Sequence, residues 1–473
     1  MTPGPSSPAA DAGSFRDPSG TVLFAEGRVF RTVEQSAWEH IDAVLEAGIL
    51  DRLTSTGRVI ATWPIEIGDA PAGLTDGLPP HPRRLIEHQR IPFISYPYEW
   101  PFSLLKRAAL HHLDLHLDLL ACGLTLSDAS AYNVQFRGTK PVFIDVLSMR
   151  RYQEGEYWAG YRQFCEQFLN PLLLGAIHGV PYHAWFRGNV EGIPVEDLAR
   201  LLPLRARASP RVLLHVVLHA GMTAKGRRAE GPEPAARPRT PMPKSALIWL
   251  LKGLRNWIAG LTPRGLDATI WGDYERRTSY EPAETEAKRA FVTRYVEQCR
   301  PVELFDLGCN TGNYSQSALM AGATRVIGFD FDRGALETAV VRADAERLDF
   351  LPLFLDATNP SPDQGWAQLE RQGFQTRARA DGLLALAFLH HLVIGRNVPL
   401  TQAVGWLVAL APSGVVEFVP KQDPMVQRML SQREDIFPAY HIEAFRGELT
   451  RRARIVQEAV VSGSGRTLLE YRR

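Results

Sequence analysis

The sequence predicts an α/β protein with a doubly wound parallel sheet in its C-terminal half and an α+β domain in its N-terminal half. Beyond residue 300, apolar runs alternate with helical stretches, which is the pattern of a parallel sheet with helices on both faces. Residues 223–244 are dominated by proline, glycine and charge, and such a segment buries too little surface to offset its ordering entropy. Before that segment, strand-like and helical runs follow no regular alternation.

Length and composition divide the chain into two main domains. At roughly 150 residues per domain, a chain of 473 residues suggests two or three domains. We predict an N-terminal domain at residues 15–222, a linker at 223–244 and a C-terminal domain at 245–473. Residues 1–14 are rich in proline, serine and alanine and lack the features of a signal peptide, so a disordered tail is expected there.

Charge, hydropathy and cysteine content exclude several functional classes. A formal net charge of +1 gives no overall electrostatic reason to expect a nucleic-acid partner. No uncharged apolar run approaches the roughly 20 residues that span a bilayer, so no integral membrane segment is expected. The four cysteines lack paired spacing, which argues against a disulfide framework or zinc site and favours a reducing, cytoplasmic location. Nothing in the sequence predicts the oligomeric state.

The N-terminal half begins with a predicted hairpin and two predicted helices. Residues 21–33 read as two strands with Glu26 and Gly27 at the turn. A helix is expected at 36–53, and a longer one at 103–123 that ends at Gly123. Residues 124–148 then form short strands and loops.

The C-terminal half contains five predicted strands separated by turns and helices. Strands are predicted at residues 301–309, 324–332, 349–357, 381–392 and 413–421, and helices at 315–321, 335–348 and 401–412. In a doubly wound sheet, ligands bind outside the carboxyl ends of the strands. Side chains that follow these strands are therefore the first functional candidates.

The turn after the first strand, "DLGCNTG", is suited to binding a ligand. Asp306, Gly308 and Gly312 lie in this turn. Glycine permits positive φ and lets a ligand approach the backbone closely. The helix that follows presents unpaired N–H groups, which favour an anionic group such as a carboxylate.

Two further acids follow the second and third strands. Asp330 stands 22 residues after Gly308, the position at which an acid accepts the two hydroxyls of a ribose. Asp356 ends the third strand, where it can accept the exocyclic amine of an adenine. The turn and the two acids together predict a nucleoside site.

This region resembles the class I S-adenosylmethionine-dependent methyltransferases, which have a Rossmann-like fold. The resemblance covers residues 304–420, and Asn310 stands where many members have glycine. It implies S-adenosyl-L-methionine as cofactor, with the turn beside its methionine moiety. The implied cofactor-binding residues are Asp306, Gly308, Asn310, Gly312, Asp330, Phe331, Asp356, Ala357 and Tyr280, the last closing over the cofactor. A nicotinamide or flavin domain is disfavoured, because "GCNTGN" lacks the G-x-G-x-x-G pattern.

Transfer of the methyl group to a hydroxyl requires a proton acceptor beside the cofactor. His390 and His391 are predicted at the end of the fourth strand, and histidine titrates near neutral pH. We favour His391 as the base, with His390 second and Glu417, at the end of the fifth strand, third. The alternatives are local packing for the histidines and a structural hydrogen bond for Glu417. No metal is expected in this domain.

The N-terminal half resembles kinase-like and aminoglycoside-phosphotransferase-like domains, with the long predicted helix and a hinge at "YPYEWPF" fitting the same layout. Asp128, Asn133 and Asp145 follow the order of a base aspartate, a metal-binding asparagine and a metal-binding aspartate. The resemblance implies ATP and magnesium as ligands. The sequence departs from the pattern because no lysine occurs in the first 100 residues, so that Arg28 or Arg31 would have to replace it. A degenerate domain that binds substrate or regulates is therefore an alternative.

The whole sequence predicts a two-domain methyltransferase acting on a hydroxyl or amine of a small-molecule or glycan-type metabolite. Segments such as "LALAFLHHLVIGRNVPL" and "REDIFPAYHIEAF" resemble a bacterial branch that includes nodulation-type methyltransferases. The first alternative is a bifunctional phosphotransferase–methyltransferase. The second is a non-catalytic binding scaffold.

Overall fold

The computed structural model describes residues 9–76, 83–228, 241–266, 282–431 and 433–473. Its strands are β1 (Ala9–Ala10), β2 (Val22–Ala25), β3 (Arg28–Glu34), β4 (Thr62–Ile65), β5 (Arg83–His88), β6 (Leu124–Leu126), β7 (Val134–Arg137), β8 (Lys140–Phe143), β9 (Met149–Arg151), β10 (Glu303–Leu307), β11 (Arg325–Asp330), β12 (Phe350–Phe354), β13 (Gly382–Ala385), β14 (Ser413–Phe418), β15 (Arg454–Val460) and β16 (Thr467–Arg472).

Helices occupy most of the remaining described chain. They are α1 (Trp38–Glu46), α2 (Ile49–Ser55), α3 (Phe102–Ala121), α4 (Tyr161–Phe164), α5 (Asn170–Leu173), α6 (His183–Gly188), α7 (Val195–Leu201), α8 (Leu204–Arg207), α9 (Pro210–Val212), α10 (His219–Arg228), α11 (Lys244–Ala259), α12 (Pro282–Cys299), α13 (Asn313–Met320), α14 (Arg333–Ala345), α15 (Phe374–Arg377), α16 (Leu389–Arg396), α17 (Leu400–Leu410), α18 (Pro424–Leu430) and α19 (Ile442–Thr450). Short π-helical segments (Cys165–Leu169, Leu174–His178 and Leu213–Leu218) adjoin α4, α5 and α9.

An antiparallel sheet of order β1-β2-β3-β5-β4 opens the N-terminal domain. The predicted hairpin is confirmed: β2 pairs with β3, and Glu26 and Gly27 both have positive φ, as a tight two-residue turn requires. The first strand, Ala9–Ala10, pairs with β2, so part of the predicted disordered tail is ordered. The single helix predicted at 36–53 is wrong, because Gly48, with φ of +61°, separates α1 from α2.

The long predicted helix is confirmed as α3, and Gly123 follows it with φ of +75°. Two antiparallel pairs, β6 with β9 and β7 with β8, come after it. The N-terminal domain is therefore α+β, with its sheet and its long helix joined by residues 89–101. We call residues 89–101 the hinge segment.

The C-terminal domain is the expected doubly wound sheet, with strand order β12-β11-β10-β13-β14-β16-β15. The five predicted strands, β10 to β14, are parallel to one another. The last two strands, β15 and β16, were not predicted, and they form an antiparallel hairpin beside β14. The order 3-2-1-4-5 across the parallel strands reverses beside β10, and this point is where such sheets bind ligands.

Helices α10 and α11 do not fit the predicted domain boundary at residues 223–244. Helix α10 extends to Arg228, so the predicted linker is partly helical. Helix α11, assigned from the sequence to the C-terminal domain, packs along α3, and Arg255 Nε lies 2.6 Å from Asp114 Oδ1. We therefore propose that the N-terminal domain extends to the end of α11.

The hinge segment covers one face of the C-terminal sheet. Residues 355–381, between β12 and β13, contain a 3₁₀ turn (Trp366–Gln368) and one short helix, α15, where parallel strands are usually joined by a longer crossover helix. Phe93 of the hinge segment packs edge-on against Phe305 and Phe329, with ring centroids 5.6 Å and 5.9 Å away. One hydrophobic cluster consequently runs from the N-terminal domain onto this face of the sheet.

Within the described residues, no helix is both long and apolar enough to cross a membrane.

Candidate active site

A cavity of about 430 Å³ lies at the carboxyl ends of the parallel strands of the C-terminal domain. Most of the site residues predicted in the C-terminal domain line this cavity. Those that line it are Asp306, Gly308, Asn310, Asp330, Phe331, Asp356, Ala357, His391 and Glu417. Of the others, Gly312 and His390 do not line it, and Tyr280 lies outside the described residues.

Left-handed backbone shapes the turn between β10 and α13. Gly308 and Gly312 have φ of +74° and +85°, and Asn310 has φ of +49°. Asparagine tolerates this region better than most residues, which explains how it replaces glycine here. The Asn310 N–H donates to Asp330 Oδ2 at 2.9 Å, so the turn is fastened to the end of β11.

Gly312 is required for packing and not for contact with the cavity. A Cβ at this position would lie 2.5 Å from the ring of Phe350, which is buried on β12. Gly312 itself does not line the cavity, and its part in binding a ligand stays a prediction. Its glycine serves the left-handed turn and the close approach of α13 to the sheet.

Burial raises the pKa of two acids at this edge. Asp306 accepts a hydrogen bond from Ser315 Oγ at 2.6 Å, and burial raises the pKa of its carboxyl to about 7. Burial likewise raises the pKa of Asp330 to about 6, against the lowering effect of the backbone N–H groups of Asp332 and Asn310. Each Asp330 oxygen accepts one backbone N–H, at 2.9 Å, and a carboxylate has further lone pairs for ligand hydroxyls.

The third acid and an aromatic ring complete this side of the cavity. Asp356 Oδ1 accepts from both the backbone N–H and the hydroxyl of Thr358, which fixes the carboxylate at the end of β12. Phe331 follows Asp330 and keeps 51% of its surface exposed while lining the cavity. An exposed ring beside two carboxylates suits a flat, hydroxyl-bearing ligand.

The two histidines lie on α16 and not at the end of a strand, because β13 ends at Ala385. His391 lines the cavity, and burial lowers its pKa to about 4. His390 is buried behind it, with ring centroids 4.0 Å apart, and neither of its ring nitrogens has a hydrogen-bond partner among the described residues. Burial lowers the pKa of His390 further. Of the two histidines, only His391 lines the cavity, so only His391 can contact a ligand there.

Glu417 is held by two cations and one backbone group. Lys288 Nζ lies 2.6 Å from its Oε1, and Arg466 Nη1 lies 3.5 Å away. The N–H of Ala387, a residue with φ of +48°, donates to Oε2 at 2.8 Å. A fully buried carboxylate with these partners fixes the loop after β13, as the alternative of a structural hydrogen bond expects, and its role as a base stays a prediction.

Helix α16 provides a wall of the cavity that was not predicted from the sequence. Besides His391, this wall contains Phe388, Leu392, Gly395 and Arg396. Their spacing of three and four residues is that of one helix face. A correct boundary between β13 and α16 would have revealed it.

The three N-terminal candidates do come together. The Asn133 amide donates to Asp128 Oδ1 at 2.8 Å and to Asp145 Oδ2 at 3.1 Å. Burial, followed by the charge of Asp145, raises the pKa of Asp128 to about 6. Arg31 reaches into the group, 2.7 Å from Asp145 Oδ1, and also pairs with Asp17.

These contacts do not fit a divalent cation. The Asp145 carboxylate is already engaged by a guanidinium and an amide, and a metal would have to displace Arg31. The described residues contain no group of three or more His, Cys, Asp or Glu side chains arranged to hold a metal. Arg28, the other candidate to replace the missing lysine, pairs instead with Glu87.

Comparisons with known proteins give one full-length relative. No family model matches the chain. This chain is 43% identical over 470 residues to the nodulation protein NoeA of Rhizobium meliloti (strain 1021). The match covers 98% of this chain and 96% of the relative.

Solved structures match only parts of the chain. The bifunctional kinase-methyltransferase WbdD is 19% identical over 46% of this chain and 46% of its own, with a TM-score of 0.29. The N-methyltransferase NodS from Bradyrhizobium japonicum WM9, in complex with S-adenosyl-l-homocysteine, is 15% identical over 43% of this chain and 97% of its own, with a TM-score of 0.31. The matched region is less than half of the WbdD chain, and these TM-scores support no further conclusion.

Proposed function

The chain belongs to the family of the nodulation protein NoeA, and we propose that it is an S-adenosylmethionine-dependent methyltransferase. One observation carries the proposal: three acids at the carboxyl ends of three adjacent parallel strands line one cavity together with a left-handed turn. This arrangement fits a nucleoside that carries a zwitterionic amino acid. A Cβ on Gly308 would approach Phe388 to 3.2 Å, so the absence of a side chain there keeps the turn open to a ligand.

Each residue of the cavity has a proposed part in holding the cofactor. Asp330 accepts the ribose hydroxyls, and Phe331 packs against the adenine. Asp356 accepts the adenine amine. The turn at Gly308 and Asn310 lies along the methionine moiety, with Asp306 buried beneath it as the support that ties the turn to α13.

The bound cofactor supplies an electrophilic methyl group and its own leaving group, so the chain's task is to align an acceptor and take up its proton. His391 is the proposed proton acceptor, because it is the histidine of the pair that lines the cavity. A neutral imidazole has one nitrogen lone pair that can take a proton. We propose a hydroxyl or amine of a small-molecule or glycan-type metabolite as the acceptor, entering past the α16 wall.

Calorimetric titration with S-adenosylhomocysteine tests the proposal. The wild-type protein is expected to bind it, and Asp330→Asn is expected to weaken binding about tenfold or more, because the charged acceptor for the ribose is lost. Asp363→Asn is the matched control, since Asp363 caps Gly373 and does not line the cavity. Absence of binding by the wild-type protein would refute the methyltransferase assignment.

Phosphoryl transfer by the N-terminal domain is the second candidate, favoured by the convergence of Asp128, Asn133 and Asp145. We propose instead that this domain is not a phosphotransferase, because Arg31 occupies the carboxylate that would hold the metal. Adding ATP with magnesium is therefore expected to leave the melting temperature unchanged. A stabilisation that Asp145→Ala abolishes would revive the bifunctional reading. A protein that binds neither nucleotide nor S-adenosylhomocysteine would be a scaffold.

A further inference from the structure

Helix α6 of the N-terminal domain lies directly behind one wall of the cavity. The His183 ring stacks on the ring of Phe354, with centroids 4.1 Å apart and an interplanar angle of 4°. Phe354 is the last residue of β12 and lines the cavity beside Asp356. The two rings belong to different domains, so this wall is built by both.

The same helix also holds the segment that follows Phe354. Arg187 Nη1 donates to the carbonyl of Asn359 at 2.6 Å, and the Gln364 side-chain amide donates to the carbonyl of Arg187. All three contacts fall on residues 354–364, the segment that contains Asp356. Because this segment has no long helix of its own, α6 supplies its support.

His183 is itself fixed from the other side. Its Nδ1 lies 3.1 Å from the carbonyl oxygen of Tyr98 in the hinge segment, and since a carbonyl only accepts, Nδ1 carries the proton. The ring is buried, with 4% of the residue exposed. A chain of contacts thus runs from the hinge segment through His183 to the cavity wall.

We propose that His183 is a positioning residue of the cofactor site, which sets the adenine-side wall by stacking on Phe354. The inference rests on the proposed function, since it assigns the adenine to that wall. It gives the N-terminal domain a part in cofactor binding that needs no ATP and no metal.

Four His183 and Phe354 variants of the full-length protein test the inference by S-adenosylhomocysteine calorimetry. His183→Asn retains a donor near the Tyr98 carbonyl but removes the ring, and is expected to raise the Kd about three- to tenfold. His183→Phe retains the ring and loses the donor, and its Kd should stay within about twofold of wild type. Phe354→Ala and the double variant His183→Asn/Phe354→Ala should have equal Kd values, because His183 acts through Phe354.

His111→Ala is the matched control for lost stability. His111 is also buried and also bonds a backbone carbonyl, that of Arg58, but it does not line the cavity. It is expected to lower the melting temperature without changing the Kd. An unchanged Kd in His183→Asn overturns the inference. A Kd that is raised in His183→Phe but not in His183→Asn overturns it as well. Failure of the wild-type protein to bind is a different result, because it refutes the methyltransferase assignment itself.

Discussion

Protonation of Asp330 should control affinity for the cofactor product. Its carboxyl has a pKa raised to about 6 by burial, and the ionised form is the better acceptor for ribose hydroxyls. Lowering the pH from 7 to 5 protonates this group, so the Kd for S-adenosylhomocysteine should rise about tenfold, with the slope beginning near pH 6. Calorimetric titration across this range measures the effect. Asp330→Asn should lose the part of the slope centred near pH 6 and keep only the contribution of Asp306, whose pKa burial raises to about 7. A variant that kept the full slope would assign the titration to another group.

Gly312 offers a second prediction at the level of a single residue. Gly312→Ala should destabilise the protein by about 2–4 kcal/mol, because it combines a positive φ with a Cβ clash against the Phe350 ring. Gly322→Ala is the control, since Gly322 also has a positive φ, +112°, but nothing lies within 4 Å of the added Cβ. Denaturant midpoints of the two variants should therefore differ. Equal midpoints would show that the ring yields without cost.

The sequence was informative for residues whose role is local. Asp306 lies near the end of β10, Asp330 ends β11 and Asp356 follows β12, so strand order alone brings the three acids to one edge of the sheet. The histidines were misjudged because the apolar run through residue 392 hides a strand that ends at Ala385 and a helix that begins at Leu389. The pairing of Glu417 with Lys288 could not be predicted, because the two residues lie 129 positions apart in the sequence.

At the level of secondary-structure elements, a buried contact joins the hinge segment to α15 of the C-terminal domain. Arg377 of α15 forms a buried ion pair with Glu99 and lies over the rings of Phe93 and Tyr96, at 5.1 Å and 4.7 Å. Its Nη1 also donates to the carbonyl of Ile94 at 2.7 Å. One side chain thereby ties together the short helix and the hinge segment.

Removing Arg377 should be costly because it leaves Glu99 buried without its counterion. Arg377→Met is expected to lower the free energy of unfolding by about 3–5 kcal/mol. Combining it with Glu99→Gln should recover a large part of that loss, since the buried charge then disappears. Urea denaturation of the single and double variants measures the coupling. Additive losses would show that the two side chains do not act as a pair.

Elements with a local signal were predictable and those defined by long-range packing were not. The parallel strands and α3 have strong apolar patterns, which fix their type without knowledge of their neighbours. Helix α11 is amphipathic, but its sequence does not say which domain covers its apolar face, and that face packs on α3. The sequence likewise does not explain why no long crossover helix joins β12 and β13. In the structure, Phe93 of the hinge segment packs on that face of the sheet.

At the scale of the whole molecule, the two domains share one hydrophobic cluster. That cluster includes α3 and the hinge segment on one side and one face of β10 to β14 on the other, whereas the opposite sheet face packs on α12 and α13. Ion pairs reinforce the junction, among them Arg107 with Asp344. An interface of this kind resembles the interior of a single domain more than a contact between mobile ones.

The shared cluster predicts one cooperative unfolding transition for the full-length protein. Separating the domains would expose Phe305, Phe329 and Phe93 together, so neither half should persist after the other unfolds. In differential scanning calorimetry, S-adenosylhomocysteine at about 100 times its Kd should stabilise the folded state by about 2.7 kcal/mol and move the single peak upward as a unit. Two peaks, of which the ligand moved only one, would mean that the domains fold independently. In that case the interface that contains the contact between His183 and Phe354 would be much weaker than the shared cluster indicates.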